Sequence, residues 1–140
     1  MKDPIIINIF NETDQQYIPR QRIIVTLEQL LFNEKVEEAT VNVVIMDNEG
    51  IKKINNKYLE HDYPTDVLAF KMEEDIFEAE VYVSLEMAKY NAEEYKSHWR
   101  EELLRYIIHG VLHLIGYDDS TEEGSEKMRK KENKYLTELK

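Results

Sequence analysis

Four stretches of the chain have the apolar patterning of β-strands. Residues 5–10 form a short β-branched run that ends at Asn11, and residues 41–46 (VNVVIM) form a second run. Two shorter runs follow at residues 67–70 and 80–84, on either side of a strongly acidic segment. Because these two runs are consecutive, we expect the third and fourth strands to meet as one antiparallel edge of a sheet.

Five further stretches repeat their apolar residues at the spacing of a helix. Residues 20–32 follow Pro19, which favours a helix start, and a second helix carries Ile51, Ile54 and Tyr58. Residues 85–98, 99–115 and 121–139 predict three more helices, of which the middle one is long and apolar. Suitable capping residues stand at the predicted helix ends; they are Asp47, Ser84 and Thr121 at N-termini and Gly116 at a C-terminus.

Length and composition place these elements in one domain. A chain of 140 residues is long enough for a single core, and 42% hydrophobic with 34% charged residues excludes a disordered or fibrous chain. No internal repeat or Gly/Ser linker marks a boundary. We therefore predict a single α+β (mixed α/β) domain over residues 1–140, in which about five helices pack with a small mixed four-stranded sheet. The 99–115 helix is expected to be central.

The charge of the chain restricts its partners. Eighteen Lys and Arg against 29 Asp and Glu give a net charge of −11, which argues against nucleic-acid binding by overall charge. Charge is unevenly distributed, however, and charge runs are most often solvated helix faces. The acidic segment holds Glu73, Glu74, Asp75, Glu78 and Glu80, whereas the basic clusters are Lys52, Lys53 and Lys57, and Lys127, Arg129, Lys130, Lys131 and Lys134.

The chain contains no cysteine, which excludes disulfides and thiolate metal sites. Any metal ion must therefore be held by histidine and carboxylate side chains. The N-terminal residues are too quickly acidic for a signal peptide, and no run approaches 18 apolar residues. We expect a cytoplasmic protein with no membrane partner.

His109 and His113 are the strongest candidate metal ligands. Side chains four residues apart on a helix lie one turn apart on the same face, so both imidazoles can converge on one ion. Gly116 can end the helix and turn the chain back, which lets Asp118 or Asp119 reach the same ion. Two imidazoles, one carboxylate and an open position are typical of a catalytic zinc site.

This histidine pair has two alternative interpretations. A histidine in an apolar helix is usually a hydrogen-bonded core residue, but His109 and His113 lie opposite the apolar face and form a stripe of their own. The spacing also resembles the zinc motif of metzincin proteases, which place a glutamate base directly after the first histidine. Gly110 occupies that position, so a peptidase-like zinc hydrolase is disfavoured.

Three sequence blocks resemble the YbeY family of metal-dependent endoribonucleases and rRNA maturation factors. Residues 109–119 (HGVLHLIGYDD) match its HGxLHLxGYDH signature at every specified position except the last. Residues 55–58 and 64–70 (NNKY and PTDVLAF) resemble its N-x-x-Y…PTDVLSF segment, and residues 79–84 (AEVYVS) resemble its GDIxIS strand. The order and spacing of the blocks agree over residues 40–120.

The resemblance implies His109, His113 and Asp119 as ligands of one Zn²⁺ per chain, with another divalent transition metal also possible. Asp119 stands where the family has a third histidine, which lowers the net charge of the site by one. Leu59 stands where the family has an arginine after the tyrosine of its N-x-x-Y segment. Arg105 or Lys57 are candidates to replace that cation.

The function implied by the resemblance is metal-dependent, single-strand-specific endoribonuclease activity in rRNA maturation and ribosome quality control. Asp66 and Arg105 are the expected catalytic residues, with Asp66 either orienting a metal-bound water or capping its turn. Substrate RNA is expected to contact Lys53, Lys57, Thr65 and Ser84. The alternative is a ribosome-assembly binding module with a mainly structural metal, whose acidity suits a basic ribosomal protein. The sequence leaves the oligomeric state open.

Overall fold

A computed structural model describes residues 4–72 and 76–137 of the chain. Within these residues it has four strands and five helices in a single α+β domain, as predicted. Glu73, Glu74 and Asp75 of the acidic segment and Leu139 of the last predicted helix lie outside the described residues. The elements are β1 (Ile5–Asn11), α1 (Arg20–Asn33), β2 (Ala39–Met46), α2 (Asn48–Leu59), β3 (Val67–Lys71), β4 (Glu78–Ser84), α3 (Leu85–Glu94), α4 (Trp99–Ile115) and α5 (Glu122–Thr137).

The four strands form one mixed sheet in the order β1-β2-β4-β3. β2 is parallel to both β1 and β4, and its Val43 lies opposite Ile9 on one side and Val81 on the other. β3 pairs antiparallel with β4, which confirms the predicted antiparallel edge. Burial alternates along β2, so one face of the sheet carries the main core.

The helices cover the two sheet faces unequally. Side chains of α1, α3, α4 and α5 join one large core with β1, β2 and β4, whereas α2 packs in a small cluster of Met46, Ile51 and Leu68. α4 contacts β3, β4, α3 and α5, so it is central, as predicted. Among the described residues no helix is both long and apolar enough to cross a membrane.

The orientation of α4 follows from its apolar face. The apolar face of α4 is buried at Leu104, Ile107, Ile108 and Val111, with Ile115 packed against the same core. Gly110 lies against the sheet, where an added Cβ would be 3.1 Å from both Val67 Cγ2 and Val81 Cγ1. The helix therefore approaches the sheet more closely than a larger residue at this position would allow.

α3 is shorter than predicted. It ends at Glu94 instead of residue 98, because Lys96 takes a positive φ of 54° and the Ser97 N–H donates to the Ala92 carbonyl at 2.8 Å. His98 is thereby released to cap α4, and its Nδ1 accepts from the Arg100 N–H at 3.1 Å.

The three predicted N-caps are confirmed. Asp47 accepts from the Gly50 N–H at 2.9 Å, and Ser84 accepts from the Met87 N–H at 3.1 Å. The Thr121 hydroxyl accepts from the Gly124 N–H at 3.0 Å, so α5 begins one residue later than predicted.

Candidate functional site

A tight turn after α4 brings an aspartate back to the helix. Gly116 has a φ of 129°, which side-chain-bearing residues rarely adopt, and the Tyr117 N–H donates to the Leu112 carbonyl at 3.1 Å. The chain then reverses, and Asp119 Oδ2 lies 3.5 Å from His109 Nε2. The predicted reversal at Gly116 therefore places a carboxylate against the first histidine of the motif.

Asp118 is occupied within the turn itself. Its Oδ1 accepts from the Ser120 N–H at 2.9 Å and its Oδ2 accepts from the Ser120 hydroxyl at 3.0 Å. These hydrogen bonds hold the pKa of the Asp118 carboxyl below its ordinary value. Of the two candidate aspartates, the structure thus places Asp119 against His109 and uses Asp118 to form the turn.

The other ring nitrogen of His109 is bound by a buried carboxylate of α5. His109 Nδ1 donates to Glu132 Oε2 at 2.8 Å, and Arg105 Nη1 donates to Glu132 Oε1 at 2.9 Å. Burial by itself would raise the pKa of Glu132, but the hydrogen bonds from His109 and Arg105 outweigh it and leave the pKa lowered. The same hydrogen bond raises the pKa of His109 against the opposing effect of burial.

This arrangement defines the tautomer of His109. A carboxylate can only accept, so Nδ1 carries the hydrogen and Nε2 of the neutral ring presents its lone pair towards Asp119. Histidines that bind metals commonly donate their other ring N–H to a carboxylate in this way.

His109 and Asp119 line a pocket of about 200 Å³ between α4, α5 and the start of β3. The side chains in it combine acids, bases and cations; they are Asp66, Arg105, Tyr106, His109, Asp119, Ser125, Met128, Arg129 and Glu132. Burial raises the pKa of Tyr106 to about 12, so its hydroxyl stays protonated near neutral pH. Asp66 lies 43 residues before His109 in the sequence, and the fold brings the two side chains to the same pocket.

The donor atoms fit a divalent transition metal at two of the three predicted ligands. Two ligands about 2.0–2.1 Å from a tetrahedral zinc ion are about 3.3 Å apart, close to the observed 3.5 Å between His109 and Asp119. His113 is exposed and contacts neither of them by any hydrogen bond within the described parts of the chain. Accordingly, residues 4–72 and 76–137 contain no group of three or more His, Cys, Asp or Glu side chains close enough together to hold a metal ion.

Asp66 caps the turn before β3. Its Oδ1 accepts from the Val67 N–H at 2.8 Å and from the Thr65 hydroxyl at 3.3 Å, which caps the turn before β3. The residue also lines the pocket. Its catalytic role stays a prediction.

The predicted substrate-binding residues do not line this pocket. Ser84 is fully buried, caps α3 and donates to Asn48 Oδ1 at 2.5 Å, so its hydroxyl is used within the fold. The Thr65 hydroxyl donates to Asp66 Oδ1, but Thr65 does not itself line the pocket. Lys53 and Lys57 lie exposed on α2. Leu59, at the end of α2, is 43% exposed.

Two acidic residues of the site region were missed by sequence reasoning. Glu132 is 7% exposed and pairs with His109, and Glu34, which follows the last residue of α1, accepts from the hydroxyl of Tyr117 at 2.6 Å. Burial raises the pKa of Glu34, but hydrogen bonds from Tyr117, Tyr135 and Lys131 reverse this and leave it lowered. The sequence did hold one signal for Glu132. Its carboxylate lies on the apolar stripe of α5, beside the buried residues Met128, Tyr135 and Leu136, and a carboxylate in such a position needs a partner.

Comparisons with known proteins identify the family to which the chain is similar. A family model described as Endoribonuclease YbeY matches residues 8–140. A protein named Endoribonuclease YbeY from Chloroherpeton thalassium is 39% identical over 132 residues, covering 94% of each chain. Another of that name from Thermotoga petrophila is 40% identical over 115 residues, covering 81% of this chain and 75% of its own. The solution structure of TM1509 from Thermotoga maritima superposes with a TM-score of 0.70 at 34% identity, covering 94% of this chain and 87% of that one.

Proposed function

The chain belongs to the YbeY endoribonuclease family, and from this membership we propose that it is a metal-dependent hydrolase that cuts single-stranded RNA internally. The observation that carries the proposal is the contact of His109 with Asp119 on one ring nitrogen and Glu132 on the other. We place its action in the cytoplasm, in the maturation of ribosomal RNA and in ribosome quality control.

His109, His113 and Asp119 would hold one divalent ion, zinc or another transition metal. When bound, the ion would polarise a phosphoryl oxygen as a Lewis acid. Glu132 fixes the His109 ring in the tautomer whose Nε2 can bind. Asp66 lines the same pocket, and we assign to it the acceptance of a proton from the attacking group.

Arg129 is the best candidate for the cation that Leu59 fails to supply. Arg105 donates to both Glu132 and Asn133, so its guanidinium is largely used in holding α5. Arg129 lines the same pocket, is exposed, and forms no ion pair with any residue in the described ranges. A guanidinium at this position can form a bidentate contact with a phosphate.

Position 110 does not face the pocket, which disfavours the metzincin-type glutamate base. Position 110 faces Val67 and Val81 of the sheet, so a glutamate there would point into the core and away from the pocket. A basic ribosomal protein as partner rests on the net charge of −11 alone.

Cleavage of a defined RNA tests the proposed function. We expect the protein to cut an end-labelled single-stranded RNA at internal positions, to cut the same RNA poorly when it is annealed to its complement, and to lose activity with a chelator. His109→Ala should reduce the rate at least about 100-fold, because removing even a second-sphere partner of a metal site costs about 10–100-fold. His61→Ala is the matched control, because His61 is exposed, stacks on Tyr63 and does not line the pocket. Equal cleavage by His109→Ala and by the parent would contradict the proposal.

A further inference from the structure

Four lysines of α5 and one tyrosine line a second, separate groove. Its volume is about 360 Å³, and its lining residues are Tyr117, Lys127, Lys130, Lys131 and Lys134. The lysines are three, four and seven residues apart, so they share one face of α5. At a rise of about 1.5 Å per residue they extend over about 10 Å. We call this surface the lysine groove.

Two lysines of the lysine groove, Lys127 and Lys130, supply its unpaired positive charge. Lys131 forms an ion pair with Glu34, with 3.0 Å between Lys131 Nζ and Glu34 Oε2. Lys127 and Lys130 are exposed and form no ion pair with any residue of the described parts of the chain. In a chain with a net charge of −11, the groove is thus a local region of attractive potential for an anion.

The lysines of α2 form the other basic cluster of the chain. Lys52 lies 3.8 Å from Asp62, and Glu49 and Glu60 stand at the two ends of the same helix. α5 also carries acidic residues, namely Glu122, Glu123, Glu126 and Glu132, so the two helices do not differ in the sign of their net charge. What distinguishes α5 is that four of its lysines line one groove.

The position of the lysine groove relative to the pocket suggests what it holds. Ser125, Met128, Arg129 and Glu132 line the pocket from one face of α5, whereas the lysines occupy another face. Tyr117 lines the groove two residues before Asp119. A ligand that occupied both places would have to be long, anionic and flexible.

We propose that the lysine groove binds the phosphate backbone of substrate RNA in the part that flanks the cleaved bond, and that a base displaces Lys131 from the Tyr117 ring, over which its Nζ lies at 5.8 Å from the centroid. This inference rests on the proposed function. A line of cations beside an aromatic ring is what proteins use to bind single-stranded nucleic acid, because phosphates meet the cations and bases stack on the ring. An acidic peptide would use the lysines but would gain nothing comparable from Tyr117.

Salt-dependent RNA binding tests the inference. The protein carries His109→Ala so that the RNA stays intact, and its affinity for a labelled single-stranded 30-nucleotide RNA is measured by fluorescence anisotropy over a range of salt concentrations. Adding Lys127→Gln and Lys130→Gln should weaken binding about tenfold at 0.1 M salt. It should also make the slope of log K against log salt shallower by about 1.4, since each phosphate contact with a single strand contributes about 0.7.

Two pairs of substitutions serve as matched controls, since each removes the same charge. Lys35→Gln with Lys96→Gln changes two exposed lysines elsewhere and should leave the slope unchanged. Lys53→Gln with Lys57→Gln tests the surface of α2. The inference is overturned if the α5 pair behaves like the Lys35 and Lys96 pair, if the α2 pair has the whole effect, or if polyglutamate of equal length competes as well as RNA. If the parent neither binds nor cleaves RNA, the proposed function itself fails, which is a distinguishable result.

Discussion

Replacing His113 by alanine should abolish metal binding without destabilising the metal-free protein. His113 is exposed and makes no hydrogen bond with the described residues, so the fold does not depend on its side chain. Zinc added to the parent should raise the free energy of unfolding, by about 2.7 kcal/mol at a concentration of 100 Kd, because the ion binds only the folded chain. Thermal unfolding with and without zinc should show this gain in the parent and not in His113→Ala.

Substitutions at the turn after α4 provide the matched controls. Asp119→Ala should lose the ion, whereas Asp119→His should keep it, because imidazole is an equally competent zinc ligand. Asp118→Ala should keep most of the affinity and cost some stability, since both Asp118 oxygens bond to Ser120. Zinc stabilisation of His113→Ala equal to that of the parent would show that His113 is not a ligand.

Replacing Gly110 by glutamate should have the largest effect on stability. The new Cβ alone would lie 3.1 Å from Val67 Cγ2 and Val81 Cγ1, and the carboxylate would follow it into the core. Overpacking costs about 1–3 kcal/mol and an unpaired buried charge costs more, so we expect a loss above about 4 kcal/mol. A typical domain has only about 5–15 kcal/mol to lose. Denaturant unfolding followed by circular dichroism measures the change.

Gly110→Ala is the graded control for this substitution. It introduces the close contact without the charge, and a gain of about 1 kcal/mol in helix propensity offsets part of the cost. It should therefore unfold at a denaturant concentration between those of the parent and Gly110→Glu. A glutamate variant as stable as the parent would mean that α4 does not pack on the sheet at this position. It would also reopen the peptidase alternative.

The elements around the site were predictable because their signals are local. The apolar stripe that ends at Gly116 defines α4 as Trp99–Ile115, which is also its observed extent. The early end of α3 was missed, because it depends on a positive φ at Lys96 and nothing in a lysine side chain indicates that conformation. Local patterning therefore predicted the helix that carries the histidines. It did not predict the end of α3, which depends on a single backbone angle.

The candidate site was predictable only in the part that one segment contains. His109, His113 and Asp119 lie within 11 residues, so helical geometry and one glycine turn relate them. Glu132 reaches His109 only because α5 packs back on α4, a tertiary contact that the sequence does not specify. In a helix rich in charged residues, its position on the buried stripe was the single local indication.

Anomalous X-ray scattering from crystals of the zinc-loaded protein, recorded at the zinc absorption edge, tests the central claim most directly. We expect one strong peak per chain, about 2.0–2.2 Å from nitrogen atoms of His109 and His113 and an oxygen of Asp119. The hydrogen bond from His109 Nδ1 to Glu132 should be retained beside it. A peak at other residues, or no peak with zinc present in excess, would contradict the account.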